Sequence, residues 1–241
     1  MTHTINHLGQ PIGFAVPNWT SPPVPPRTTL TGRFCRIEPL SVERHGADLY
    51  AANSLDTEGR LWTYMAYGPF VDMAAYVTWL TRACQSTDPL FHAIVDAATN
   101  KAVGVASYLR IDPTNGVIEV GGLVFSPLLQ RTPAATEAMF LMMQNAFALG
   151  YRRYEWKCDS LNAPSRAAAQ RLGFSYEGLF RQAIIYKGRS RDTAWYAIID
   201  QEWPALQAAY TQWLAPENFT DDSQQRVPLR DLTQPLVQRQ G

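Results

Sequence analysis

Apolar positions repeat along this chain with two different periods, and the switches between them mark out its elements. After a strand-like run from Arg33 to Pro39, Ser41 stands where a helix cap is needed, and a helix is predicted to about Asn53. Asp72 caps the next helix, in which Met73, Tyr76, Val77, Leu80 and Cys84 share one face at helical spacing; core packing is the simplest use of that stripe. The period then shortens. Phe91–Val95, Ala102–Ile111 and Val117–Phe125 read as strands separated by Asp96–Lys101 and Asp112–Gly116, which predicts successive hairpins. A long helix to Leu149, capped by Gly150, precedes an alternating strand over Arg153–Cys158. A short helix from about Ala163 to Leu172 ends at Gly173, and closing strands at about Phe174–Ile185 and Asp192–Ile199 flank the turn Lys187-Gly188-Arg189.

The two ends break this pattern. Residues 1–30 carry six prolines, a density that favours an extended, polyproline-like arm on the surface of a domain spanning 31–204. In residues 205–241 a short helix to Leu214 leads into a polar, Gln-rich and aperiodic tail from Asp221, which predicts a segment that is mobile or embraces a neighbouring molecule.

Composition narrows the classes. With 46% hydrophobic and 17% charged residues the chain suits a soluble globular enzyme, and its 21 basic residues balance 21 acidic ones, so no nucleic-acid or membrane partner is indicated. Three widely spaced cysteines, Cys35, Cys84 and Cys158, lack a CxxC pattern, and four histidines lack ligand spacing, so no metal site is expected. Buried thiols of a reducing compartment, no signal-like N-terminus and no long apolar span together predict a cytoplasmic protein.

The most informative stretch is Ile118–Ala138. Gly121 and Gly122 interrupt a strand, Ser126-Pro127 ends it, and Thr132-Pro133 places a capping hydroxyl and a fixed φ at a helix start. The free N–H groups of such a helix end favour an anion, as a phosphate-bearing cofactor would supply.

This order of elements, with TEA (Thr136–Ala138), NAPS (Asn162–Ser165), RLGF (Arg171–Phe174), EGLFR (Glu177–Arg181) and GRSRD (Gly188–Asp192), resembles the GNAT superfamily of acyl-CoA-dependent N-acetyltransferases, in the branch of the ribosomal-protein N-terminal acetyltransferases. The resemblance covers roughly Thr31–Trp203. It implies an α/β (α+β) fold: a mixed, mostly antiparallel central sheet of about seven strands flanked by about four helices. It also implies transfer of an acetyl group from acetyl-CoA to a primary amine, a protein N-terminus or a small molecule, by a monomer or homodimer without a metal. Two further readings remain open: a non-catalytic acyl-CoA-binding module, and a transferase using another donor such as succinyl-CoA.

The resemblance also places roles on residues. The family's pyrophosphate loop, Gln/Arg-x-x-Gly-x-Gly/Ala, falls on Gln130, Arg131, Thr132, Pro133, Ala134 and Ala135, where Pro133 replaces the first loop glycine and removes one N–H donor. The remaining N–H groups and the hydroxyls of Thr132 and Thr136 are expected to grip the pyrophosphate. Backbone around Leu123, Val124 and Phe125 is expected to hold the pantetheine arm and polarise the thioester. Glu119 is the candidate base, against the alternative of a carboxylate on the wet face of a hairpin. Ser165 is expected to protonate or hydrogen-bond the departing thiolate, with solvent relay as its rival. Asn162 would hold the pantetheine amide region, cap the short helix, or both, and Arg166 is nominated for a CoA phosphate. The aromatic stretch Leu61–Phe70 is expected to build the acceptor pocket, with Trp62, Tyr64 and Tyr67 facing Tyr186; packing under the sheet and an ordinary exposed turn are the alternatives.

Overall fold

Val, Ile and aromatic residues fill the central runs, and these pair with their sequence neighbours until a helix intervenes. In the computed structural model, which describes residues 3–220 and 224–241, ten strands form: β1 (His3–Ile5), β2 (Pro11–Gly13), β3 (Leu30–Thr31), β4 (Cys35–Pro39), β5 (Leu90–Asp96), β6 (Ala102–Asp112), β7 (Val117–Phe125), β8 (Arg153–Asp159), β9 (Ser175–Tyr186) and β10 (Arg189–Ile199). The six helices are α1 (Val42–Asn53), α2 (Met73–Gln85), α3 (Pro133–Ala148), α4 (Ala163–Arg171), α5 (Trp203–Leu214) and α6 (Leu229–Thr233). β1 and β2 make a separate hairpin, and the others form one eight-stranded sheet in the order β3-β4-β5-β6-β7-β8-β10-β9. Seven strands were expected; the eighth is the two-residue β3, too short to show a period.

Every pairing in the large sheet is antiparallel except β7 with β8, which run parallel because α3 carries the chain across between them. Alternation sends Ile118 and Val120 of β7 to the face covered by Met139 and Met143 of α3, where Tyr154 and Trp156 of β8 join them. On the other face Leu49 of α1 and Leu80 of α2 pack on Phe91 and Val105. The result is a sheet between two helical layers.

Helix ends follow their sequence signals. Ser41, Asp72, Thr132 and Asn162 each accept a backbone N–H two or three residues into a helix, and Pro133 occupies the first turn of α3. At its other end Gly150, with φ +98°, closes α3 by donating to Phe147 O while Tyr151 donates to Ala146 O. Glu137, the acid of the TEA segment, accepts from the N–H groups of Arg33 (2.8 Å), Phe34 (2.6 Å) and Cys35 (2.9 Å), fastening α3 to the start of β4.

Both ends are tied down. Trp19 Nε1 donates to Thr114 O and Tyr151 Oη to Pro23 O, which fastens this part of the arm to the domain, whereas His3–Ile5 and Pro11–Gly13, expected within an extended arm, close into a hairpin. The tail differs from its expectation: Leu229 is buried, Thr233 Oγ1 donates to Arg171 O, Tyr176 N donates to Arg239 O, and Gln238 N donates to Ser175 Oγ. Hydrogen bonds and three leucines hold it, Leu229 buried with Leu232 and Leu236 packed on the same core, a stripe too short to stand out in a polar segment. Asp221, Asp222 and Ser223, where that tail was expected to begin, lie outside the described residues. Among the described residues no helix is long and apolar enough to cross a membrane.

Candidate active site

The two parallel strands part company in mid-sheet. β7 and β8 pair only from Val117/Arg153 to Val120/Trp156, yet β7 continues to Phe125 and β8 to Asp159. The cause is local: Val105 faces Val124 and Ser107 faces Gly121, so Gly122 and Leu123 together oppose the single residue Ala106. Gly122 has φ +59°, and a Cβ there would sit 2.9 Å from Ser107 Oγ and 3.1 Å from a Phe91 ring carbon. Glycine permits the bulge, the bulge bends β7, and the facing edges of Leu123–Phe125 and Lys157–Asp159 are left without a strand partner.

The strand then feeds the anion end. Gln130 N and Thr132 N turn inward to Ser126 O and Leu129 O, and Ala135 N is taken by Thr132 Oγ1 at 3.2 Å. Three of the expected donors are therefore engaged within the turn. Arg131, held at φ +63°, and Ala134 keep N–H groups with no acceptor among the described residues. Thr136 Oγ1 accepts from Arg171 Nη1 at 3.2 Å, bringing a guanidinium against the first turn of α3. Burial holds the Arg171 cation below its ordinary range, so an anion nearby would offset a real cost.

Glu119 is buried, on the sheet face opposite Ile118 and Val120. Its Oε2 accepts from Arg110 Nη1 at 2.6 Å and from Lys157 Nζ at 2.9 Å. Lys157 also reaches Glu155 (2.6 Å) and lies 3.7 Å from the centre of the Trp195 ring; Arg153 bridges Glu155 to Glu177. Alternating charges thus run across β6, β7, β8 and β9. Burial raises the Glu119 carboxyl above its usual range, against the pull of Lys157 and Arg110. For Glu155 burial also pushes upward, but the bonds from Lys157 and Arg153 win and hold it low. One carboxylate in the chain is destabilised and its neighbour is not, a pattern found where protons are moved.

On α4, Asn162 Oδ1 caps Ser165 N at 3.1 Å, the capping role foreseen for it. Ser165 Oγ accepts from Trp156 Nε1 at 3.1 Å, which places it beside the last residue of β8 that pairs with β7. Arg166 is spent locally, on Tyr196 Oη (3.4 Å) and Ser160 O (3.3 Å).

The aromatic loop is bound to the other side of the cleft. Tyr64 Oη donates to Leu161 O at 3.1 Å, and Lys187 Nζ donates to Trp62 O at 2.7 Å. Tyr186 Oη donates to buried Asp159 at 2.9 Å, and its own hydroxyl is pushed up to about 12 by burial and that carboxylate. Trp62 is buried edge-on to Phe70, and Tyr67 stacks on Trp79 with ring centres 4.7 Å apart. Its enclosed hydroxyl has no partner among the described residues.

Arg110, Glu155, Asp159 and Lys187 were not singled out from the sequence, nor was Lys157 as a partner of Glu119. Strand register carried the missing signal: Glu119 faces Glu155, and Lys157 lies two residues further along the same face. Among the described residues no cluster of histidine, cysteine and acidic side chains could hold a metal.

Comparisons with known proteins agree on one family. The acetyltransferase (GNAT) domain model matches residues 36–175. A GCN5-related N-acetyltransferase from Brucella melitensis is 49% identical, with a TM-score of 0.88 over 90% of this chain and 99% of its own. A probable GNAT-family acetyltransferase from Chromobacterium violaceum is 40% identical, with a TM-score of 0.76 over 81% and 98%. The uncharacterized N-acetyltransferase YnaD of Bacillus subtilis is 30% identical over 83 residues, 34% of this chain, and the match spans about half (49%) of that relative's length.

Proposed function

Because the chain belongs to the GNAT acetyltransferase family, an acyltransferase fold with a parted β7/β8 pair, we propose that it transfers the acetyl group of acetyl-CoA to a primary amine, a protein N-terminus or a small-molecule amine, by direct attack in a ternary complex. The observation that carries this reading is the parting of β7 and β8 beside a buried carboxylate of raised pKa.

Each step needs a group that the site can supply. Acetyl-CoA brings an activated acyl carbon and an extended amide-bearing arm; the unpaired edges of Leu123–Phe125 suit that arm as another strand would. The free N–H groups of Arg131 and Ala134 and the Arg171 cation suit its phosphates. The amine must lose a proton to attack. Glu119, whose ionised form burial makes less stable than a solvated carboxylate, accepts that proton directly or through water. As the carbon–sulfur bond breaks, the thiolate takes a proton, and the Ser165 hydroxyl is the donor assigned to it. The Tyr64–Leu161 and Lys187–Trp62 contacts hold the acceptor side fixed.

The test is release of free thiol from acetyl-CoA by the purified protein with a panel of amines and short peptides. Glu119→Gln is expected to lower kcat/KM by about 100-fold or more, the usual size of a positioned base. Unchanged turnover in that variant would remove Glu119 from the mechanism, and absence of thiol release on any acceptor would favour the binding-module alternative.

A further inference from the structure

A second concave site lies between the end of α1 and the aromatic loop. It is a pocket of about 350 Å³ whose lining includes Tyr50, Asn53, Asp56, Glu58, Trp62 and Tyr76, and no residue of β7, β8, β9 or β10 contributes to it. It is therefore separate from the parted strands, and it shares with the acceptor loop the wall made by Trp62, Pro69 and Phe70.

Its polar content is unusual for a gap between packed helices. Asn53 is only 6% exposed; its Nδ2 makes a long, 3.5 Å bond to Tyr76 Oη, and its Oδ1 has no donor. A buried amide oxygen left without a donor is costly and is normally answered by a partner. Around it stand four aromatic side chains and, toward solvent, the carboxylates of Asp56 and Glu58. Asp56 is fixed by accepting Leu61 N at 2.8 Å, and Glu58 pairs with exposed Arg60, so the mouth keeps one negative charge in excess.

An orphaned acceptor, aromatic faces and excess negative charge call for one kind of head group: a cation that donates hydrogen bonds and tolerates rings. We propose that this pocket binds a small primary alkylammonium ion as a second amine site, distinct from the position of the reacting amine. The ammonium donates to Asn53 Oδ1, its charge is balanced by Asp56 and Glu58, and its alkyl chain lies on Trp62 and Tyr50. This goes beyond the proposed acetyl transfer and does not depend on it.

Calorimetric titration of the full chain with n-butylamine hydrochloride at neutral pH, without any acyl donor, tests the site, with butan-1-ol as the uncharged control. Saturable one-to-one binding of the amine and none of the alcohol is expected. Asn53→Leu and, separately, Asp56→Asn with Glu58→Gln are each expected to weaken binding at least tenfold, while Glu119→Gln leaves it unchanged. The rim variants keep the test decisive if Asn53→Leu fails to fold. Lack of saturation, equal binding of the alcohol, or indifference to the rim substitutions would overturn the proposal. Loss of binding in Glu119→Gln would do so as well, since it would put the amine in the reaction cleft.

Discussion

Glu119 shows how much of a residue's chemistry depends on neighbours that are remote in sequence. Two cations share one of its oxygens, and their pull offsets part of the effect of burial. Removing Lys157 takes away charge that favours the ionised form, so Lys157→Met should raise the Glu119 pKa further. The acidic limb of the kcat/KM profile would then move to higher pH, and an unmoved limb would show that Glu119 does not govern it. Glu137 makes the opposite point. Its three charge-assisted bonds to Arg33, Phe34 and Cys35 are structural, so Glu137→Ala should cost about 2–4 kcal/mol of stability, more than one such bond is worth. A denaturant midpoint equal to that of the parent would contradict it.

Elements were the most legible scale. The helical stripe from Met73, the run Val117–Phe125 and the Gly150 and Gly173 stops all stand where the pattern of side chains puts them, because amphipathic period and backbone freedom act locally. The candidate site was legible only in part. Gly121-Gly122 announces a break, but whether β8 follows β7 across it depends on register, which no local pattern records. The ion chain through Lys157, and the consumption of Gln130, Thr132 and Ala135 N–H groups inside their own turn, are likewise products of assembly. Pro133 gives this scale its prediction. It occupies the first turn of α3, where no intrahelical bond is lost, so Pro133→Ala should change stability by less than about 1 kcal/mol. The restored N–H should tighten acetyl-CoA binding several-fold by calorimetry; unchanged affinity would mean that the proline costs the cradle nothing.

At the scale of the whole molecule, the two termini act as braces. Arm and tail are bound by contacts between residues far apart in sequence, such as Tyr151 to Pro23 and Arg171 to Thr233. Leu229, almost fully buried, is the deepest of the tail's apolar contacts, and Leu229→Ala should lower stability by about 2–4 kcal/mol. Chemical denaturation measures this directly; a change below about 0.5 kcal/mol would return the tail to the status of an unattached appendage.

The parting of β7 and β8 has a mechanical side too. The great sheet is two half-sheets, β3 to β7 and β8 to β9, stitched along their shared seam by only four residue pairs. A ligand laid along the open length of that seam would complete the stitching. Deuterium uptake at amides flanking the gap should then slow when acetyl-CoA binds, and the melting temperature should climb with its concentration. Under the proposed acetyl transfer the donor's extended arm would stand in for a strand along that seam, so that loading the site would also brace the two halves of the sheet.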